Sequence, residues 1–252
     1  VHPEVAEAAT LAARVVGLDI AGIDIVAEDI SRPLEEQRGA IVEVNAGPGL
    51  LMHLKPAKGK PRPVGQAIVD SLFPAGDKGR IPIVGIAGSK GTSLTARLMS
   101  WLLQLTGKHV GLSCRDGLFL DKRMVDKRDC ANWAAGQRLL INRSVDAAVF
   151  ENGAAMILGE GIAYDRCQVG IVTDAEGAES LADFDIHNAE QLYHVLRTQV
   201  DIVLPEGAAV LNAADPLVAR MAELCDGDVI FYGLAQELPA IVAHRARGGR
   251  AL

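Results

Sequence analysis

Ile81-Pro82-Ile83-Val84-Gly85-Ile86-Ala87-Gly88 is a short apolar run, rich in β-branched residues, that ends in glycine. Four residues further on, Thr92-Ser93-Leu94-Thr95-Ala96-Arg97-Leu98-Met99 opens a stretch whose apolar positions recur with helical spacing. Strand, glycine turn and helix in that order constrain the chain more than any other feature of it. A buried strand that feeds a helix is followed by a further strand laid parallel to it, with the helix crossing one face. The rest of the chain keeps this rhythm. Residues 109–113, 145–151, 168–174, 208–213 and 228–233 read as short apolar strands, with a turn at Asp116–Gly117 after the first. Helical stretches over 187–200 and 216–225 separate the later ones. The fold class expected is α/β, a mostly parallel sheet with helices on both faces.

The first part of the chain reads differently. Residues 4–16 have helix formers at amphipathic spacing, preceded by Pro3 and followed by Gly17. Ile23–Val26 and 40–45 alternate apolar and acidic residues, as two strands joined by a polar turn over 31–39. Residues 53–63 hold four bases, three prolines and no acid, so they read as a loop, and 64–73 as a short helix. Residues 1–52 carry nine acids and three bases, a net of −6 out of −7 for the whole chain. A boundary follows this front piece, and the domains expected are 1–75 and 76–252.

An acidic chain of 252 residues with 49% hydrophobic residues is neither disordered nor a basic nucleic-acid binder. No apolar run is long enough to span a bilayer, so no membrane contact is expected. Cys114, Cys130, Cys167 and Cys225 form no metal-type pair and read as free thiols of a reducing cytoplasm, with Cys167 in a buried strand. Trp101 and Trp133 read as packing residues. The first residue is Val1, which suggests a text that begins inside a longer protein.

Two places carry chemistry. Glu43 and Asn45 are two apart on one strand and share a face; Asp24 lies on the neighbouring strand. Oxygen ligands on one face suit Mg²⁺, with nucleotide phosphates completing its shell. The plain alternative is a solvated face of an edge hairpin. The second place is the turn Gly88-Ser89-Lys90-Gly91-Thr92-Ser93 between strand and helix, the setting of a phosphate-binding loop. Such a loop ends in Gly-Lys-Ser/Thr. Here Lys90 precedes the last glycine and Thr92 stands where the lysine belongs. On these residues alone, a βα turn with structural glycines is the plainer reading. Asp215 precedes Pro216 and suits a helix cap.

Gly22-Ile23-Asp24-Ile25-Val26 followed by Ile41-Val42-Glu43-Val44-Asn45-Ala46-Gly47-Pro48-Gly49 resembles the last two strands of an ATP-grasp ligase. The stretch from about 80 to 235 resembles the central domain of Mur-type ligases. The two joined through a proline-rich linker resemble the cyanophycin synthetase family, and the segments DISRPLEEQ, RPVGQAIVDSLFP, DGLFLD, DRCQVGIVTD and VLNAADPLV continue the likeness. The resemblance implies the C-terminal part of an ATP-grasp domain followed by an incomplete Mur-ligase-like central domain with a P-loop-like βα turn. It implies an amide ligase that activates a carboxylate as an acyl phosphate, with ATP and Mg²⁺ as cofactors.

By the same resemblance Asp24, Glu43 and Asn45 hold magnesium, with Glu151 a weaker candidate. Gly88, Ser89, Lys90, Gly91, Thr92, Ser93 and Asp215 correspond to the nucleotide site of the Mur-like part. The expected partners are a cyanophycin primer and aspartate, arginine or β-aspartyl-arginine dipeptide, within a cytoplasmic homo-oligomer. No nucleic acid is expected.

The departures from the family pattern fall on the Mur-like part. The loop lysine is replaced by Thr92. The Arg and Gly residues expected after Glu151 are missing. Glu179-Ser180-Leu181 replaces an Asp-His-Leu, and Ala214 replaces the first of two aspartates. A loop without its lysine loses several kcal/mol of phosphoryl-charge stabilisation. The expectation is a silent Mur-like site beside a working ATP-grasp site, joining preformed dipeptides. The alternatives are a synthetase that adds Asp and Arg through an unusual loop using Lys90, or a non-catalytic oligomerisation domain. Lys55, Lys58, Lys60 and Arg62 could attract a carboxylate-rich chain, or be a solvated linker.

Overall fold

A computed structural model describes residues 1–73 and 75–252. The chain divides into two units, Val1–Arg80 and Ile81–Leu252.

In the first unit a helix, Pro3–Val16, begins at Pro3, and His2 Nδ1 accepts a hydrogen bond from the Glu4 N–H at 3.3 Å. Gly17 ends the helix with φ +82°, and its N–H returns to the carbonyls of Ala13 and Arg14. Strands β1 (Gly22–Val26) and β2 (Ala40–Asn45) pair antiparallel. The Gln37 carboxamide holds the connection between them. It accepts from the Asp29 N–H at 2.7 Å and donates to the Asp29, Arg32 and Pro33 carbonyls. Helices Leu51–Leu54 and Val64–Leu72 flank the proline-rich loop.

The second unit is a nine-stranded sheet. Its strands are β3 (Ile83–Ala87), β4 (Val110–Cys114), β5 (Gly117–Leu120), β6 (Arg123–Asp126), β7 (Ala147–Asn152), β8 (Cys167–Val172), β9 (Val203–Asn212), β10 (Asp228–Tyr232) and β11 (Arg250–Ala251). The order across the sheet is β11-β10-β9-β8-β3-β7-β4-β5-β6. From β11 to β4 every pairing is parallel, as expected from the alternation of strand and helix. The antiparallel hairpin β5–β6 closes one edge and departs from the alternation of strand and helix. It turns at Asp121–Lys122, where Asp121 takes φ +53°. Nothing in the apolar spacing of so short a pair separates it from a loop.

All five residues of β3 are buried, with Ile86 and Ala87 fully enclosed. Residues flanked by strands on both sides and covered on both faces must be small or apolar, which is how this run reads. Gly85 is required there. A Cβ on it would stand 1.9 Å from the Tyr164 hydroxyl and 2.5 Å from the Gln199 amide. Those groups belong to a buried network in which Asn152 Nδ2 donates to Tyr164 Oη at 2.8 Å and to Gln199 Oε1 at 2.6 Å. Burial pushes the Tyr164 hydroxyl up, so it stays neutral.

Cys114, Cys130 and Cys167 are buried and Cys225 is half-buried, all as free thiols. The tryptophans correct the expectation. Trp101 is 52% and Trp133 44% exposed. Helix Thr92–Gln104 turns Ala96 and Ser100 to the sheet, and Trp101 lies on its other side. Among the described residues no helix is long and apolar enough to cross a membrane.

Candidate functional site

In an open parallel sheet ligands bind beyond the carboxyl ends of the strands. Here the charged residues at those ends meet one another.

The turn after β3 is shaped by two glycines. Gly88 has φ +132°, and a Cβ on it would stand 2.0 Å from Thr173 Oγ1, so the loop lies close against the end of β8. Gly91 has φ +70° and opens the helix Thr92–Gln104. Between them the N–H groups of Ser89 and Lys90 form the anion-binding nest that such loops offer to phosphate.

That nest is occupied from within. The Asp174 carboxylate accepts from the Ser89 N–H at 3.1 Å, the Ser89 hydroxyl at 2.6 Å and the Lys90 N–H at 2.9 Å. It also accepts from Thr173 Oγ1 at 2.8 Å and the Glu176 N–H at 3.2 Å. Burial raises the Asp174 pKa, but these hydrogen bonds outweigh it and hold the carboxyl below its ordinary range. The ammonium of Lys90 is turned to the Glu176 carboxylate, and both side chains are exposed.

The second cluster lies around Glu151, on β7 opposite Ile86. Glu151 is 3% exposed and spends its carboxylate on four donors. Thr92 Oγ1 donates at 2.7 Å, Ser93 Oγ at 2.8 Å, the Arg115 N–H at 2.8 Å and Arg115 Nε at 2.7 Å. A further Arg115 nitrogen donates to Thr92 Oγ1 at 2.8 Å. Desolvation raises the Glu151 pKa, yet these donors more than offset it and keep the group ionised. Glu151 is therefore paired with a fixed guanidinium at the place where a metal ion was expected. A small cavity of about 280 Å³ opens beside the loop, reached by Gly88, Ser89, Arg115, Glu151 and Glu176.

Asp215 is a local anchor. Its Oδ1 accepts from the Leu217 N–H at 2.9 Å and the Val218 N–H at 3.3 Å, capping the helix Pro216–Arg220. Its Oδ2 accepts from the Ala175 N–H at 2.8 Å, tying the ends of β8 and β9 together.

The loop's N–H donors and the Glu151 carboxylate are both engaged within the chain. An incoming phosphate would have to displace a buried carboxylate from the nest, and a metal would have to displace an arginine from Glu151. The residues Gly88, Ser89, Lys90, Gly91, Thr92, Ser93 and Glu151 come together as the loop reading requires. Arg115, which lies in none of the family-like segments, and Asp174, which ends the segment DRCQVGIVTD without a role assigned to it, decide its charge state. Each is a charged residue one or two positions past the end of a parallel strand, and that position alone could have singled them out.

In the front unit Asp24 stands directly opposite Glu43, and Gly22 opposite Asn45. Asp24, Glu43 and Asn45 therefore share one face of the two-stranded ribbon. Asp24 and Glu43 are exposed and Asn45 is half-buried. Pro48 lies over Gly22, where a Cβ would come within 2.9 Å of the Pro48 Cβ. Two carboxylates and an amide oxygen fit a hard cation such as Mg²⁺. Among the described residues no third His, Cys, Asp or Glu joins them.

No family model matches the sequence. Along its length the chain is similar to cyanophycin synthetases. It is 41% identical over 249 residues to that of Synechocystis sp., covering 99% of this chain. It is 40% identical over 252 residues to that of Geminocystis herdmanii, covering 100% of this chain. The chain spans 28% and 29% of the length of those relatives. Among solved structures, a UDP-N-acetylmuramoyl-L-alanyl-D-glutamate–2,6-diaminopimelate ligase matches at 13% identity with a TM-score of 0.53. That match covers 68% of this chain and 35% of the ligase. At that identity the match speaks for the fold alone: the sheet unit has the α/β fold of a Mur-type ligase. The motif resemblance to cyanophycin synthetases thus extends over the whole chain.

Proposed function

We propose that this chain is part of an ATP-dependent amide ligase of the cyanophycin synthetase kind, whose chemistry belongs to the ATP-grasp site and whose Mur-like site is silent. The similarity to cyanophycin synthetases supports the ligase activity. A single observation carries the silence of the second site: the loop that would cradle phosphate is filled by Asp174, and its metal position by Arg115.

On this reading Asp24, Glu43 and Asn45 hold Mg²⁺ beside ATP. Magnesium, when bound, neutralises the charge of the phosphoryl group in transfer to a carboxylate. The chain's own part is to present two carboxylates and an amide oxygen on one rigid face. The register of β1 and β2 sets their spacing before any cation arrives. The Mur-like unit then serves as scaffold, and the building block is a preformed β-aspartyl-arginine dipeptide added to a primer. A cytoplasmic setting suits four free thiols.

The test uses the whole protein that carries this chain, with ATP, magnesium and primer. Polymer formed from the dipeptide, and none from free aspartate plus arginine, is the expected result. Polymer from the free amino acids overturns the silent-site reading. Glu43→Ala is expected to abolish synthesis; retained synthesis means that the metal site lies elsewhere.

A further inference from the structure

We infer that the loop from His53 to Arg62 is a binding surface for an extended, carboxylate-bearing peptide. The inference deepens the reading above, because it assigns a place to an acidic chain on the same unit as the proposed magnesium site.

Four observations carry it. Within this acidic chain the loop packs four bases into eight positions: Lys55, Lys58, Lys60 and Arg62 face no acid within 53–63. None of the four makes an ion pair among the described residues, although arginines elsewhere in the chain repeatedly do. Four exposed cations without a partner among the described residues leave their charge available to an incoming anion.

The bases are also gathered rather than strung out. The Arg62 N–H donates to the His53 carbonyl at 2.8 Å, folding the loop back on its own start. His53, Lys58, Lys60 and Arg62 then line one open cleft of about 600 Å³. Pro56, Pro61 and Pro63 stiffen the segment, so holding these cations together costs less order on binding than in a flexible linker.

Lys60 and Arg62 flank Pro61 in a stretch free of helix and turn. Lys60 and Arg62, with Lys58, are the cations that an acidic peptide lying in the cleft would meet. Nucleic acid fits less well. The loop has no Phe, Tyr or Trp on which a base could stack.

The experiment is fluorescence anisotropy of the full chain with labelled oligoaspartate at low ionic strength, without ATP. Binding is expected, weakening with salt and absent for an oligoasparagine of equal length. The combined variant Lys58→Gln, Lys60→Gln and Arg62→Gln is expected to weaken binding by about tenfold, from three exposed charge contacts. Lys122→Gln with Lys127→Gln, on the β6 edge of the other unit, is the comparison and is expected to change nothing. Circular dichroism checks that each variant keeps its fold. Equal binding by the loop variant overturns the inference, as does tighter binding of a single-stranded oligonucleotide. Because no nucleotide is present, a negative result here leaves the ligase reading standing. A failed polymerisation assay likewise leaves this binding intact.

Discussion

Arg115 and Glu151 form a two-point contact: the Arg115 side chain reaches one carboxylate oxygen at 2.7 Å and its own backbone N–H reaches the other at 2.8 Å. One residue thus supplies both a fixed dipole and a charge to a carboxylate that is 3% exposed. A guanidinium held by its own backbone loses little freedom in doing so. Whether the Glu151 carboxylate is free turns on this pair, as whether the nest is free turns on Asp174.

Arg115→Ala leaves Glu151 buried with its hydroxyl donors but no cation. The Arg115 side chain is itself 52% exposed, so water moderates the loss. A destabilisation of about 1–3 kcal/mol is expected in urea unfolding. Adding Glu151→Gln should recover part of it, because the amide needs no counter-charge. If the double variant is as unstable as the sum of the singles, the pair does not interact as described.

Asp174→Asn weakens the plug in the nest, since an amide cannot accept from five donors as a carboxylate does. The variant is expected to lose about 1–2 kcal/mol of stability. It should also gain saturable binding of inorganic phosphate, measured by calorimetry, which the parent lacks. Absence of phosphate binding in both proteins would mean that something other than Asp174 closes the nest.

Glu151 and Asp174 are both held below their ordinary values of 4.5 and 3.8. A depressed carboxyl pKa contributes stability that is present above the unfolded value and lost as pH falls through the folded one. Unfolding free energy should therefore be level above about pH 5 and drop below about pH 4.5. With Asp174→Asn the drop should be shallower; an unchanged slope would remove Asp174 from the account.

His109 Nδ1 lies 2.9 Å from Asp121 Oδ2, at the turn between β5 and β6. The hydrogen bond to Asp121, and then its charge, raise the His109 pKa above its ordinary 6.5. This contribution to stability is complete below 6.5 and fades as pH rises through the folded value. Asp121→Asn should bring the His109 titration, followed by NMR, back down towards the ordinary value. An unmoved titration would mean that the pair does not form in solution.

Gly85→Ala puts a methyl group within 1.9 Å of the Tyr164 hydroxyl. The buried Asn152–Tyr164–Gln199 network must open or the strand must shift. A cost of about 1–3 kcal/mol is expected, visible as a lowered Tm. A neutral substitution would show the network to be looser than its hydrogen bonds imply.

Local pattern alone determined much of this protein. The alternation of apolar runs and amphipathic stretches is read within about ten residues, and it specified the parallel sheet, the glycine turn after β3 and the helix that follows. The same text showed Thr92 where a loop lysine belongs, and placed Glu43 and Asn45 on one face by their spacing. The tertiary structure decided the charge state of the loop. Asp174 is 85 residues from Ser89, and Arg115 is 36 from Glu151. They meet because β3 lies between β8 and β7 in the sheet, and β7 beside β4. That order is set by packing among all the strands, which no local period contains. Hydrogen bonds over 3 Å depend on it entirely, so whether the nest is open or filled could be read only once the strands were in place.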